Sequence, residues 1–304
     1  MTVDVSVELG SLKLRNPVIT ASGTFGYGVE YAELMDLSRL GGISVKGISL
    51  EPRKGNPPPR ICETPCGMLN SIGLANVGFD AFVGKTLPRL RELGATVIVN
   101  TYGTTEGEFA ELARRFDRTD GVAALEVNIS CPNVKQGGIH FGVAPEPAAA
   151  VTRAVRDATS LPVIVKLSPE AADLAGVAQA VADAGADAVS LINTIRGMSI
   201  DVETRRPRLG AGIGGLSGPA IRPVAVRMVH EVHRAVDVPL IGIGGIAGLR
   251  DALEFFLAGA TAVQIGTANY TNPKTAIELI AALEQYCAER DVVPADLVGA
   301  VITD

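Results

Sequence analysis

Apolar positions along this chain fall into short β-branched runs spaced by longer Ala- and Leu-rich stretches. Four runs follow a segment of helical composition that ends in glycine: RLGGISVK (39–46), ELGATVIVN (92–100), DAGADAVSLIN (183–193) and LAGATAVQIG (257–266). Glycine suits a helix C-terminus because it takes positive φ without a Cβ clash. LPVIVKLS (161–168) and VPLIGIGG (238–245) follow a proline, and PVITASG (17–23) and ALEVNIS (124–130) complete eight strand candidates. The intervening stretches, such as EAADLAGVAQAVADAG (170–185), carry helical periodicity.

Eight strand–helix alternations in 304 residues predict an α/β chain folded as a (β/α)8 TIM barrel, with residues 1–304 as one domain. An open doubly wound sheet is the rival, but the strand count and the lack of a dividing linker favour the barrel. DVSVELGSLKLRNP reads as a short hairpin covering the barrel's N-terminal end. The gaps Gly47–Asn76 and Asn193–Ser217 are rich in Gly, Pro and polar residues and follow strand C-termini. They read as long loops on the active-site face.

Composition narrows the picture. Hydrophobic residues make up 47% of the chain, so a large core forms, and a net charge of −6 without a basic face excludes nucleic-acid binding. Arg205, Arg206 and Arg208 read as a solvated loop. Cys62, Cys66, Cys131 and Cys287 are too few and scattered for a disulfide framework, and Cys62 and Cys66 have no second ligand pair for a metal. The N-terminal segment lacks a signal-peptide pattern and no run reaches membrane-span length, so a cytoplasmic location is expected.

The strand ends carry the chemistry. In order they present Ala21–Ser22–Gly23, Lys46–Gly47, Asn100, Asn128 with Ser130 and Cys131, Lys166, Asn193–Thr194, Gly244–Gly245 and Gly266–Thr267. A barrel brings all of them to one mouth. Glycines after the last two strands let backbone N–H groups approach a phosphate. Lysines at strand ends imply anionic partners, and carboxamides match the alternating C=O and N–H groups of a planar heterocycle. Among these ends there is no histidine or carboxylate for ordinary hydrolysis. The set fits a planar cofactor with a phosphate tail and a small anionic substrate. Each residue alone has a blander reading: an isolated Asn is a turn residue, and Gly244–Gly245 is a βα turn.

Several motifs fail on context. GAGIGG (210–215) follows RRPRL rather than a buried strand, and GIGGIA (242–247) lacks the acidic residue about 20 positions on that ribose recognition uses. NAD+ binding by this chain itself is therefore disfavoured. HEVH (230–233) has Arg234 where a zinc-protease motif needs histidine. An aldolase-like barrel with Lys166 as Schiff base is an enzyme rival.

NISCPNVK (128–135), with Lys46, GNPPPR (55–60), GMLNSIGL (67–74), VKLSP (165–169), INT (192–194), GIGGI (242–246) and IGTAN (265–269), resembles the class 1 dihydroorotate dehydrogenases over nearly the whole chain. The resemblance implies an FMN-binding barrel that oxidises (S)-dihydroorotate to orotate in de novo pyrimidine biosynthesis. The hydride would pass to FMN N5 and the C5 proton to Cys131 as catalytic base. It assigns FMN contacts to Ser22, Lys46, Gly47, Asn100, Asn128, Lys166, Ile192, Gly218, Gly244, Gly245, Gly266 and Thr267. Substrate contacts fall to Lys46, Asn70, Ser71, Ile72, Gly73, Leu74, Asn128, Asn193 and Thr194. No metal is implied on this chain.

TFGYGVEY (24–31) and GGLSGPAIRPVA (214–225) resemble type B within the class. Type B implies an iron–sulfur flavoprotein partner carrying FAD and a [2Fe–2S] cluster, electrons passed to NAD+, and a heterotetramer built on a homodimer of this chain. The alternatives are a type A-like homodimer using fumarate, or a flavin-binding subunit without turnover. Cys66 and Tyr102 depart from the small residues expected at those places, and Tyr102 is expected to alter the flavin edge.

Overall fold

The computed structural model describes residues 3–130 and 141–303. Among the described residues sixteen strands follow in chain order. An antiparallel hairpin comes first, β1 (Val7–Leu9) and β2 (Leu12–Leu14), then β3 (Val18–Thr20), β4 (Gly42–Ser44), β5 (Ile61–Thr64), β6 (Gly67–Asn70), β7 (Val97–Thr101) and β8 (Ala124–Asn128). The second half holds β9 (Val163–Lys166), β10 (Ala188–Leu191), β11 (Ile195–Gly197), β12 (Ile200–Asp201), β13 (Arg206–Pro207), β14 (Gly214–Ser217), β15 (Leu240–Ile243) and β16 (Ala260–Ile265). β3, β4, β7, β8, β9, β10, β15 and β16 pair in that order, parallel throughout, and close into a barrel. The expected (β/α)8 architecture is the one observed.

Side chains alternate across each strand, and this parity stratifies the barrel interior. Ile19, Ile98, Ala124, Ile164, Ala188, Ile241 and Ala262 form an apolar layer at the N-terminal end. The hairpin plugs that end: Val7, Leu9, Leu12 and Leu14 pack on the layer, while Glu8 and Lys13 face solvent as a 3.0 Å ion pair. Two residues further along several strands, the inward positions become polar: Ser44, Asn100, Glu126, Lys166, Ser190 and Gln264, all buried.

The intervening positions, such as Val18, Val99, Leu125 and Leu240, point outward into the helical shell. The helix Glu106–Asp117 shows why these segments fold as they do. Thr105 caps it by accepting the Glu108 N–H, acidic residues open it and Arg114 and Arg115 close it. Phe109, Leu112, Ala113 and Phe116 recur at helical spacing and are buried. Together with Phe82, Phe255 and Phe256 they build the main core, where each fully buried large side chain contributes roughly 1.5–3 kcal/mol. Of the glycine junctions, Gly259 ends the helix Leu249–Ala258 at φ +118° as expected. At the first junction Gly41 serves another purpose, since a Cβ there would meet the Asn16 carbonyl oxygen at 2.2 Å.

The two gaps expected as loops are mostly loop, but each also contributes short strands to one additional sheet. β5 and β6 from the first pair antiparallel with β14 and β11 from the second, in the order β11–β14–β6–β5. Cys62, Leu69 and Leu209, with Leu216 against them, give this small sheet its own apolar core. Cys62 and Leu69 are the signal that composition concealed. Arg205, Arg206 and Arg208 are exposed, Arg206 lying in the β12–β13 ribbon. No helix among the described residues is long and apolar enough to cross a membrane.

Candidate active site

A cavity of about 830 Å³ opens at the C-terminal ends of the barrel strands, within the range of small-molecule sites. It gathers Ser22 after β3, Lys166 at the end of β9, and Ile192, Asn193 and Thr194 after β10. Gly244 and Gly245 follow β15, Gly266 and Thr267 follow β16, and Gly218 follows β14. The small sheet supplies Asn70 and Ile72, so it walls the cavity that the barrel floors. Ser217, Tyr270 and Cys66 also line it, three residues that strand-end reasoning missed because they lie on the sheet and beyond the last barrel strand. Thr267 Oγ1 donates to Ser217 Oγ at 2.7 Å, tying the last barrel turn to the sheet.

The glycine end is shaped by exclusion. Gly245 has φ +74°, and a Cβ there would stand 2.8 Å from the Gly218 carbonyl oxygen. Gly244 has φ +133°, with Ala225 Cβ 2.9 Å from the same virtual atom. At Gly266 the nearest atoms stand 3.5 Å or more away, so its missing side chain leaves room on the cavity side. These turns leave backbone bare where an anionic group can approach, the property expected for a phosphate tail.

The remaining predicted residues lie beside or beneath the cavity. Lys46 and Gly47 follow β4; a Cβ on Gly47 would meet Asn100 Oδ1 at 2.8 Å. Lys46 is half-buried, and its pKa is lowered by that burial and then by the Arg60 guanidinium, with Glu30 opposing. Two cations held near each other suit an anionic substrate. Ser71 is buried and accepts from Asn56 Nδ2 at 2.8 Å. Gly73 and Leu74 line a separate cavity of about 610 Å³ with residues 49–56 and Glu108. Cys131 lies outside the described residues.

A hydrogen-bond path joins the strand ends. Asn128 Nδ2 faces Asn100 Oδ1 at 3.5 Å, and Asn128 Oδ1 accepts from Ser130 Oγ at 2.8 Å and Ser130 N at 3.2 Å. Ser130 Oγ in turn accepts from Asn193 Nδ2 at 2.6 Å, and Asn193 Oδ1 accepts the Thr194 N–H. The turn after Asn128 thus ties the buried Ser130 to Asn193, which lines the cavity.

Beneath the cavity lies a residue that sequence reasoning passed over. Glu126 has no exposed surface. Ser44 Oγ and Asn100 Nδ2 donate to its Oε2 at 2.8 and 2.7 Å, and Ser190 Oγ and Gln264 Nε2 to its Oε1 at 3.0 and 2.7 Å. Lys166 Nζ stands 3.9 Å from Oε2 and 3.4 Å from Ser22 Oγ. Burial raises a carboxyl pKa, but the Lys166 ammonium and the bonds from Gln264, Asn100 and Ser44 outweigh it and hold Glu126 below the usual glutamate value. The signal was present in ALEVN, where the glutamate shares its parity with Asn128.

Tyr102 is buried with Arg53 over its ring at 5.4 Å and Phe109 edge-on, and it is not among the residues lining the large cavity. No cluster of three or more potential metal ligands occurs among the described residues.

Comparison with known proteins gives a consistent result. The sequence profile of the family described as "Dihydroorotate dehydrogenase" matches residues 4–286. The chain is 60% identical over 298 residues to a protein of Trichlorobacter lovleyi named "Dihydroorotate dehydrogenase B (NAD(+)), catalytic subunit", covering 98% of each. Proteins of the same name from Geotalea daltonii and Geobacter sulfurreducens are 58% and 57% identical over 299 residues, again covering 98% of each chain.

Proposed function

Because the chain belongs to the dihydroorotate dehydrogenase family, we propose that it oxidises (S)-dihydroorotate to orotate in pyrimidine biosynthesis, as the catalytic subunit of an NAD+-linked enzyme. The observation that carries this reading is the convergence of Ser22, Lys166, Asn193, Thr194 and two glycine turns on one cavity. Full-length identity of 60% to a protein of that name supports it.

The residues lining the cavity and those beside and beneath it fit FMN. Gly218, Gly244, Gly245, Gly266 and Thr267 would take the phosphate end. Ser22, Lys46, Gly47, Asn100, Asn128, Lys166 and Ile192 would take the ring. When bound, FMN supplies the two-electron acceptor for the hydride leaving C6.

The chain's own residues then bind, orient and move one proton. Lys46, Asn70, Ser71, Ile72, Asn128, Asn193 and Thr194 hold the substrate's carboxylate and imide edges, converting encounter into alignment. The fixed amide orientations along the Asn128–Ser130–Asn193 path pre-set donors and acceptors for that edge. Lys166, with its side chain only 6% exposed, presents positive charge to the cavity and would stabilise negative charge on a ring bound there. Cys131 takes the proton from C5. A thiol with an ordinary pKa near ~8.5 keeps a small thiolate fraction at neutral pH, enough for a general base.

Electrons leave through an iron–sulfur flavoprotein partner carrying FAD and a [2Fe–2S] cluster, in a heterotetramer built on a dimer of this chain in the cytoplasm. The test is anaerobic mixing of purified chain with dihydroorotate. Bleaching of the bound flavin's visible absorbance with formation of orotate is expected; a yellow protein that stays oxidised refutes turnover. Reoxidation by NAD+ only when the partner is present supports the NAD-linked assignment, whereas direct reoxidation by fumarate overturns it.

A further inference from the structure

A carboxylate only accepts hydrogen bonds, so every carboxamide around it must turn its NH2 group inward. Glu126 therefore dictates that Asn100 offers Nδ2 to it and Oδ1 to Asn128. The orientation propagates through Asn128 and Ser130 to Asn193 on the cavity wall. Glu126 is also the acidic group paired with Lys166 among the described residues. A buried ion of either sign is costly unless paired and hydrogen-bonded. Here the carboxylate has four hydrogen-bond donors, and the cation points from it into the cavity.

We propose that Glu126 is a positioning residue for the flavin site, its charge balancing Lys166 and its Oε2 setting which way Asn100 faces and, through Asn100, Asn128. The inference rests on the reading of the cavity as a flavin site. It predicts that the charge of residue 126 is felt by the bound flavin although the side chain lies beneath the cavity floor.

The test compares the wild-type chain with Glu126→Gln and with Glu126→Gln/Gln264→Glu. Glutamine keeps the size and removes the charge, and Gln264, whose Oε1 has no hydrogen-bond partner among the described residues, accepts the new NH2 group once its amide turns over. The double substitution returns a carboxylate to the cluster across the 2.7 Å contact. The chains are loaded with FMN and the two-electron midpoint potential is measured, beside the melting temperature of each flavin-free chain.

Removing a nearby negative charge eases the addition of electrons. Glu126→Gln is expected to raise the potential by a tenfold or larger shift in the reduction equilibrium, ~30 mV for a two-electron couple. The double variant is expected to recover at least half of that shift. A lowered melting temperature with the reduction equilibrium unchanged to within about twofold makes Glu126 a structural residue only and overturns the proposal. A flavin-free readout separates this from the cofactor assignment: the Asn100 side-chain amide protons, bonded to a carboxylate, are expected to move upfield in Glu126→Gln. An unmoved signal also overturns the proposal. Failure of the wild-type chain to take up FMN refutes the flavin reading, while the Asn100 signal still reports whether Glu126 sets the amide.

Discussion

Gly266→Ala separates ligand binding from folding, with Gly245→Ala as its counterpart. Both glycines line the same cavity, yet a methyl group meets different surroundings at each. At Gly245 the backbone has φ +74°, which costs an L-residue about 1–2 kcal/mol. The new Cβ would also lie 2.8 Å from the Gly218 carbonyl oxygen and from Arg222 Cβ, adding an overpacking cost of about 1–3 kcal/mol. The sum is roughly 2–5 kcal/mol, a fall of about 4–10 °C at ~2 °C per kcal/mol for a chain of this size. At Gly266 no positive φ is involved and the nearest atoms, Ala21 Cβ and Thr24 Oγ1, stand at 3.5 and 3.6 Å. Folding should change by no more than about 0.5 kcal/mol. The methyl group takes cavity space instead, and at least a tenfold loss of FMN affinity is expected, ~1.4 kcal/mol. The assay is differential scanning calorimetry of the flavin-free chains paired with FMN titration. Wild-type FMN affinity in Gly266→Ala, or a wild-type melting temperature in Gly245→Ala, would refute the reasoning.

Cys131→Ser is expected to retain FMN but to slow reduction by dihydroorotate strongly, with partial recovery at high pH; single-turnover kinetics equal to wild type would remove the thiol from the mechanism. Because burial and Arg60 lower the Lys46 pKa, the ammonium is lost below the usual lysine range as pH rises. Substrate KM should therefore climb at alkaline pH in the wild type, and a KM in Lys46→Met equal to wild type at neutral pH would count against substrate contact. The folded-state pKa of Glu126 is depressed, so its stabilising effect is complete above ~4.5 and fades as pH falls toward the folded value. The melting-temperature gap between wild type and Glu126→Gln should narrow below that pH, and a gap that stays constant into the acid range would contradict the assignment.

The strands of the barrel were legible because both faces of each are buried. Their β-branched runs stand out against Ala-rich helices, and glycines such as Gly259 mark where one gives way to the other. The strand-end residues were legible for a related reason: Lys166 and Asn193 are polar where a core strand should stay apolar. What stayed hidden depends on pairing across long sequence separations. Leu69 and Leu216 are neighbours in the mouth sheet, but each sits in a glycine- and proline-rich stretch whose local composition reads as loop. Glu126 was hidden differently. It lies within a strand rather than at its end, and its role comes from Ser44, Asn100, Ser190 and Gln264 on four other strands. No local window contains that set.

The two ends of the barrel interior answer different physical demands. At the N-terminal end the apolar layer and the hairpin exclude water and ask nothing of hydrogen bonding. One layer up, a carboxylate, an ammonium and two carboxamides occupy the same barrel, an arrangement that on its own stabilises the fold little or not at all. The chain tolerates it because folding is driven elsewhere, by the phenylalanine-rich shell between strands and helices and by the plugged end. Interior positions near the mouth are thereby released from the work of holding the barrel together. A polar layer satisfied from several strands can then hold cavity groups in fixed orientations, which a purely apolar layer could not do. This is why perturbing Glu126 should be read at the flavin as well as in the melting curve: removing one partner of a buried pair lowers stability whether or not the carboxylate orients the cavity groups.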